Sequence, residues 1–175
     1  MTVLADWDRE ELGRRRDELL DVYAEAMAVS TSAARARRPI ISAHLDRPGL
    51  RAVAATTEDG LVGVAYGYLG EPGQWWHDQV RAALSPAVAA DWLVGAFEVC
   101  ELHVRPAWQG QGLGRALLDR LLAGPPASTA VLTTPDKETR ARGFYRDAGW
   151  VDLLPGLMFP GDPRAFAVLG KRLAA

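Results

Sequence analysis

An α/β fold with a mixed sheet is what this sequence predicts, and three observations predict it. Apolar residues near the N-terminus recur at helical spacing, a hairpin signal follows near residue 60, and strand-like and helix-like segments alternate from Phe97 onward. Within Arg9–Val29, Leu12, Leu19, Leu20, Tyr23 and Met27 recur with charges between them, which predicts a helical stretch. Pro39 interrupts after Arg35, Arg37 and Arg38, and a short helix over Ile40–Leu45 fits before the turn Arg47-Pro48-Gly49. Leu50–Ala55 and Leu61–Tyr68 flank Glu58-Asp59-Gly60, a turn that supplies its left-handed residue, so they predict a hairpin. From Asp78 to Trp92 the pattern is helical with a break at Pro86, and Trp75-Trp76-His77 precede it. Phe97–Val104 reads as a strand stopped by Pro106, Leu113–Leu122 as a helix with leucines along one face, and Ala130–Thr134 as a strand. Lys137–Ala148 reads as a helix capped by Gly149, and Trp150–Leu154 and Ala165–Leu169 supply two more strands.

Composition narrows the function classes. With 175 residues, 49% hydrophobic and 24% charged, the chain suits a single domain over 1–175 that folds without disulfides or metal. Lys plus Arg number 20 against 22 acidic residues, a formal charge of -2, which disfavours a nucleic-acid partner. Of these cations only Lys137 and Lys171 are lysines. The lone Cys100 excludes an intramolecular disulfide, and His44, His77 and His103 show no metal-ligand spacing, so no metal is expected. The N-terminus has no apolar leader region and no run approaches a membrane span, so a cytoplasmic protein with no membrane partner is expected.

The informative stretch is Gln109-Gly110-Gln111-Gly112-Leu113-Gly114-Arg115, set between a predicted strand and a predicted helix. Glycines at alternate positions let backbone approach a ligand, and the helix start aims free N–H groups and a positive dipole end at it. That is a site for an anion such as a pyrophosphate. The string is neither a P-loop nor a dinucleotide fingerprint, which disfavours a nucleotide-binding regulator.

With Leu102-His103-Val104-Arg105-Pro106-Ala107-Trp108 before it, the stretch resembles the acyl-CoA loop of the GNAT superfamily of N-acyltransferases, Gln/Arg-x-x-Gly-x-Gly/Ala. Gln109, Gly112 and Gly114 fill those positions. A second block, Ala141-Arg142-Gly143-Phe144-Tyr145-Arg146-Asp147-Ala148-Gly149-Trp150, is similar to the family's Ala-x-x-Phe-Tyr-x-x-x-Gly-Phe, with Trp150 for Phe. Glu138 stands where many members carry a cofactor-contacting Asn. The matching region is about residues 97–151.

The resemblance implies a GNAT-like mixed, mostly antiparallel central sheet flanked by helices, with a cofactor cleft between the motif strands, and transfer of an acetyl group from acetyl-CoA to an amine by direct attack in a ternary complex. It implies that Gln109, Gly110, Gln111, Gly112, Leu113 and Gly114 hold the pyrophosphate. It further implies that the strand Leu102-His103-Val104, through its backbone at Leu102 and Val104, holds the pantetheine arm. Arg115 could reach a phosphate or pair with Asp119 on its own helix. Tyr145 matches the family's general acid, and its phenol stays protonated at neutral pH. The base is open: Glu98 resembles the family's carboxylate at this place in the strand, and Glu101 and His103 are alternatives.

Trp75 and Trp76 cannot both face the core of a regular strand, so one could line a pocket or a homodimer surface. Arg35, Arg37 and Arg38 form either a solvated face or a site for an anionic acceptor. The acceptor, a small molecule or a peptide amine, is open. A non-catalytic acyl-CoA sensor or interaction domain on the same fold is the alternative to an enzyme, and the presence of Tyr145 favours the enzyme.

Overall fold

The computed structural model describes residues 1–174. Among them the chain runs β1 (Val3–Trp7), α1 (Arg9–Arg14), α2 (Arg16–Met27), α3 (Thr31–Arg35), α4 (Arg38–His44), β2 (Arg51–Thr57), β3 (Gly60–Leu69), α5 (Trp75–Ala83) and α6 (Pro86–Trp92). It continues with β4 (Phe97–Val104), α7 (Leu113–Leu121), β5 (Thr129–Pro135), α8 (Arg140–Asp147), β6 (Val151–Met158) and β7 (Ala165–Arg172). The strand order is β1-β2-β3-β4-β5-β7-β6. Neighbours β1/β2, β2/β3, β5/β7 and β6/β7 are antiparallel, and β4 runs parallel to β5 through Phe97↔Ala130 and Glu98↔Val131. This is the mixed sheet the element pattern predicts, mostly antiparallel as the resemblance implies.

The chain forms two compact units: Met1–Tyr68 with Val99–Pro125, and Leu69–Glu98 with the chain from Pro126 onward. In the first, period-two alternation on β2 separates two faces. Ala52 and Ala54 join a core with Trp7, Leu12, Leu19, Leu20, Val22, Ile41, Val64 and Tyr66, so α1, α2 and α4 cover one face. Arg51 points the other way, where its Nε donates to the Leu121 carbonyl of α7 at 3.2 Å. Gly63 lets α7 close on β3, for a Cβ there would come within 2.9 Å of Leu117 Cδ1. Burying a leucine such as Leu117, Leu118 or Leu121 contributes about 1.5–3 kcal/mol, which holds α7 and the loop ahead of it.

In the second unit, Val80, Leu84, Leu93, Val131, Leu157 and Val168 form a separate core from α5, the end of α6 and strands β5, β6 and β7. Gly170 on β7 lets the Trp92 ring and Leu153 lie flat on the strand, since a Cβ would meet them at 2.7–2.8 Å. Arg172 stacks on the outer face of Trp92, 3.8 Å from Cζ to the ring centroid.

Three sequence expectations need adjustment. The helical stretch from Arg9 breaks at Arg15 (φ -105°, ψ 15°), two residues after Gly13, the weakest helix former in the run. A Cβ on Gly13 would stand 3.0 Å from Leu45 Cδ1, so its absence also serves packing. Strand β1 was not expected, because its five residues carry no clear alternation; pairing with β2 makes it a strand. Helix α8 starts at Arg140 rather than Lys137, where the Thr139 hydroxyl accepts from the Arg142 N–H at 3.2 Å.

Candidate active site

The glycine loop is braced by its own glutamines. Gln109 Nε2 donates to the Val104 carbonyl at 2.8 Å, and Gln111 Nε2 to the Ala107 carbonyl at 3.2 Å. The Arg105 N–H donates to the Val62 carbonyl at 2.8 Å, which ties the end of β4 to β3. Gly110 and Gly112 have φ of 74° and 81°, the left-handed region that favours glycine. A Cβ on Gly112 would meet nothing within 4 Å, so the requirement there is backbone conformation and an open approach rather than internal crowding. Gly112 is also the N-cap of α7 and makes no side-chain cap bond. Leu113, Gly114 and Arg115 therefore begin the helix with N–H groups that have no partner inside it. An exposed left-handed turn running into a nine-residue helix fits the diphosphate of an acyl-CoA. Arg115 itself bonds to Asp119 at 2.9 and 3.0 Å, one turn on.

On β4, ahead of the loop, a different chemistry is assembled. Glu101 is buried, and its Oε1 accepts from Arg37 Nη2 at 2.5 Å while Oε2 faces His103 Nε2 in a hydrogen bond. Burial alone would push the Glu101 carboxyl up, but His103 and Arg37 outweigh it and hold the group below its ordinary value. Tyr23 of α2 packs its ring edge-on to His103, with centroids 5.1 Å apart, and the Arg37 guanidinium lies 4.5 Å over the Tyr23 face. Nearby, His44 Nδ1 and the Tyr66 hydroxyl are 2.8 Å apart. Burial lowers the His44 pKa and raises that of Tyr66 well above the phenol range, so both are neutral at pH 7. The arginine trio thus divides. Arg35 pairs with Asp17 and Asp21, Arg38 makes two bonds to Asp17, and Arg37 alone turns inward to Glu101.

The second unit carries the remaining candidates. Glu98 is buried on β4 at its pairing with Val131, not on a solvated strand end. Tyr145 is half-buried on α8, its ring edge-on to Phe144 at 5.2 Å and to Trp150 at 5.8 Å. The tryptophan pair opens helix α5 rather than a strand, and it splits: Trp76 turns in and donates from Nε1 to Thr133 Oγ1 at 3.2 Å, while Trp75 stays 55% exposed against Phe159. Glu138 accepts from Arg146 at 3.2 Å. Arg142 is held between Asp136 and Asp152.

Comparison with known proteins gives the arrangement a family. The acetyltransferase (GNAT) domain profile matches residues 49–152, which contain β2, β3, β4, the glycine loop, α7, β5 and α8. The chain belongs to the GNAT acetyltransferases. It is 36% identical over 200 aligned positions to the GCN5-like protein acetyltransferase Rv2170 of Mycobacterium tuberculosis, an alignment covering 97% of both chains. Solved structures share the GNAT fold at low identity. A GNAT-family acetyltransferase of Bacillus cereus superposes with TM-score 0.66 at 11% identity, covering 100% of this chain and 99% of the other. An acetyltransferase of Thermus thermophilus gives 0.64 at 16% identity, covering 99% and 97%.

Within this GNAT chain the first unit brings together Glu101, Leu102, His103, Val104 and the whole Gln109–Arg115 loop, and the second carries Glu98 and Tyr145. Sequence reasoning missed Arg37 as the partner of Glu101, Tyr23 as the neighbour of His103, and Gly63 as the seat of α7. The Glu101/His103 pair had a signal, since residues two apart on a strand share a face. Arg37 had none, standing 64 residues away from its partner. Among the described residues, no helix is long and apolar enough to cross a membrane.

Proposed function

We propose that this GNAT protein transfers an acetyl group from acetyl-CoA to an amine of a protein substrate, by direct attack in a ternary complex. The observation that carries the cofactor half is the glycine loop, where Gly110 and Gly112 are left-handed and Gly112 opens α7 with no side chain over the helix start. What supports the acceptor half is similarity along almost the whole chain to a relative that is called a protein acetyltransferase. Acetyl-CoA supplies an activated thioester carbonyl.

The chain's own residues do the rest. The N–H groups opening α7 bind the diphosphate, and the backbone of Leu102 and Val104 aligns the pantetheine arm, which replaces a random encounter by an oriented one. The Val104 carbonyl keeps a second lone pair after accepting from Gln109, so it can serve both. Tyr145 gives its phenolic proton to the departing sulfur. The β4 carboxylates Glu98 and Glu101 serve the acceptor side, where an amine must lose a proton to form an amide.

The experiment is calorimetric titration with acetyl-CoA, followed by turnover on a lysine-bearing protein panel with Tyr145→Phe beside the wild type. Binding together with turnover, and a drop of about 10²-fold in the variant with cofactor affinity retained, is the expected result. Binding without turnover on any amine would turn the protein into an acyl-CoA sensor. Full activity in the variant would remove Tyr145 from the acid role.

A further inference from the structure

We propose that the cavity between α5 and α6 binds a free α-amino acid with an aliphatic side chain. Its carboxylate sits on Arg81, its ammonium on His77, and its side chain against Leu84 and Leu93. The site belongs wholly to the second unit. It goes beyond the acyl-transfer reading and uses none of the residues placed in that reaction.

The cavity has the size and lining of a small-molecule site. Its volume is about 690 Å³, inside the roughly 300–1,000 Å³ usual for such sites. Leu84, Pro86, Ala89 and Leu93 give it aliphatic walls, and no Phe, Tyr or Trp ring among the described residues joins them. Two polar side chains interrupt that surface. They are His77 and Arg81, four residues apart on α5 and therefore on one face of it.

Neither group is spent on the fold. Arg81 is exposed and makes no hydrogen bond or ion pair among the described residues. Asp78, three residues back, is engaged elsewhere, since both of its oxygens accept from the Gly73 N–H at 3.1 Å. His77 is only 5% exposed, and its ring packs on Gly70, where a Cβ would stand 3.3 Å from His77 Cδ2. His77 Nδ1 faces Asp78 Oδ1 at 3.5 Å. The Gly73 N–H, with His77 and Arg81 adding to it, holds the Asp78 carboxyl below its ordinary value, so Asp78 is ionised and only accepts. Nδ1 therefore carries the hydrogen, and Nε2 keeps a lone pair that has no partner among the described residues. A buried imidazole that lines a cavity with an unused acceptor is the observation that points to a ligand.

The two groups ask for opposite things. A guanidinium only donates and is always charged, so it takes a carboxylate, which it can meet with two parallel hydrogen bonds. The Nε2 lone pair takes a donor, and an ammonium suits it because the Asp78 carboxylate stands behind the ring. Side chains four apart on a helix have Cβ atoms about 5–6 Å apart, so the two complementary groups must lie close together. An ammonium and a carboxylate on one carbon meet that requirement. The other acidic group nearby, Asp91 of α6, is taken by Arg172. The aliphatic walls then favour an apolar side chain over a polar one. The ligand is held and released unchanged, with no bond made or broken.

Calorimetric titration of the full chain tests this with L-leucine and three analogues that each lack one feature. Isocaproate lacks the ammonium, leucinamide the carboxylate, and glycine the side chain. L-leucine should bind, and each analogue should bind at least about tenfold more weakly. Two variants assign the contacts. In Arg81→Gln the preference for leucine over leucinamide should fall below about twofold, while that over isocaproate stays. In His77→Phe the preference over isocaproate should vanish, while that over leucinamide stays. Arg81 is exposed, so its variant remains informative even if His77→Phe folds poorly, and circular dichroism checks both. No binding of L-leucine at millimolar concentration would overturn the proposal. So would preferences that Arg81→Gln and a folded His77→Phe both keep, because leucine would then be held elsewhere. Neither result bears on the glycine loop, which acetyl-CoA titration tests separately.

Discussion

The glycine loop and the Glu101 cluster occupy neighbouring stretches of the first unit, yet they are built in opposite ways. The loop works through backbone: Gly110 and Gly112 supply angles that other residues resist, and its partners are its own carbonyls. The cluster works through side chains drawn from α2, the α3–α4 turn and β4, and its partners are far away in sequence. The difference teaches where each is vulnerable. A loop of this kind fails by a local change of conformation with little loss of fold stability. A buried ionic cluster fails by leaving a charge without a partner, which the whole unit then feels.

The sharpest way to break that contrast is Gly112→Val. A β-branched residue at φ 81° is strained by about 1–2 kcal/mol, and the displaced helix start should weaken acetyl-CoA binding by about 10²-fold or more in calorimetry. Circular dichroism should still show a folded chain, since a Cβ at this position meets no neighbouring atom. Loss of the fold would mean that the loop is as much a structural keystone as the cluster.

Arg37→Met should do the reverse. It leaves Glu101 buried with only His103, and urea unfolding should show a loss of about 3 kcal/mol, the lower end for a broken buried pair because one partner remains. Cofactor affinity should hold. An effect under about 0.5 kcal/mol would place the pair among ordinary surface bridges.

The same cluster sets an acid dependence. The folded chain holds the Glu101 carboxyl below its usual value, so its contribution to stability is whole above the unfolded-chain pKa of about 4.3. It is lost as pH falls through the folded value. Wild-type stability should therefore decline below that pH, and Glu101→Gln should flatten this part of the curve. Equal slopes in both proteins would remove Glu101 from the acid transition.

The smallest expected effect is Arg115→Ala. Its bond to Asp119 is an exposed helical pair, for which about 0.3–0.5 kcal/mol is usual. A thermal melt should barely move. A fall in acetyl-CoA affinity of about tenfold, which is about 1.4 kcal/mol, would show that Arg115 leaves Asp119 for a phosphate and extends the loop's reach.

Much of this was legible in the sequence. The leucine spacing of α7, the strand Phe97–Val104 and the turn at Gly60 follow from periodicity and from the angles glycine permits. The glycine loop was legible for the same reason, because backbone conformation is a local property. What escaped was decided by partners: β1, which is a strand because β2 lies beside it, and the break at Arg15 in a stretch that looks evenly helical.

The sequence by itself determined the fold class, the left-handed glycine turn ahead of α7 and the choice of Tyr145, Glu98, Glu101 and His103 as the groups worth watching. Only the tertiary structure decided what surrounds them. It sent Arg37 inward while Arg35 and Arg38 stayed on the acidic face of α2, and it gave Glu101 two partners at once. The physical reason is that periodicity and turn chemistry act over a few residues. Burial and ion pairing act through space, and a pair 64 residues apart leaves no trace in either neighbourhood of the chain.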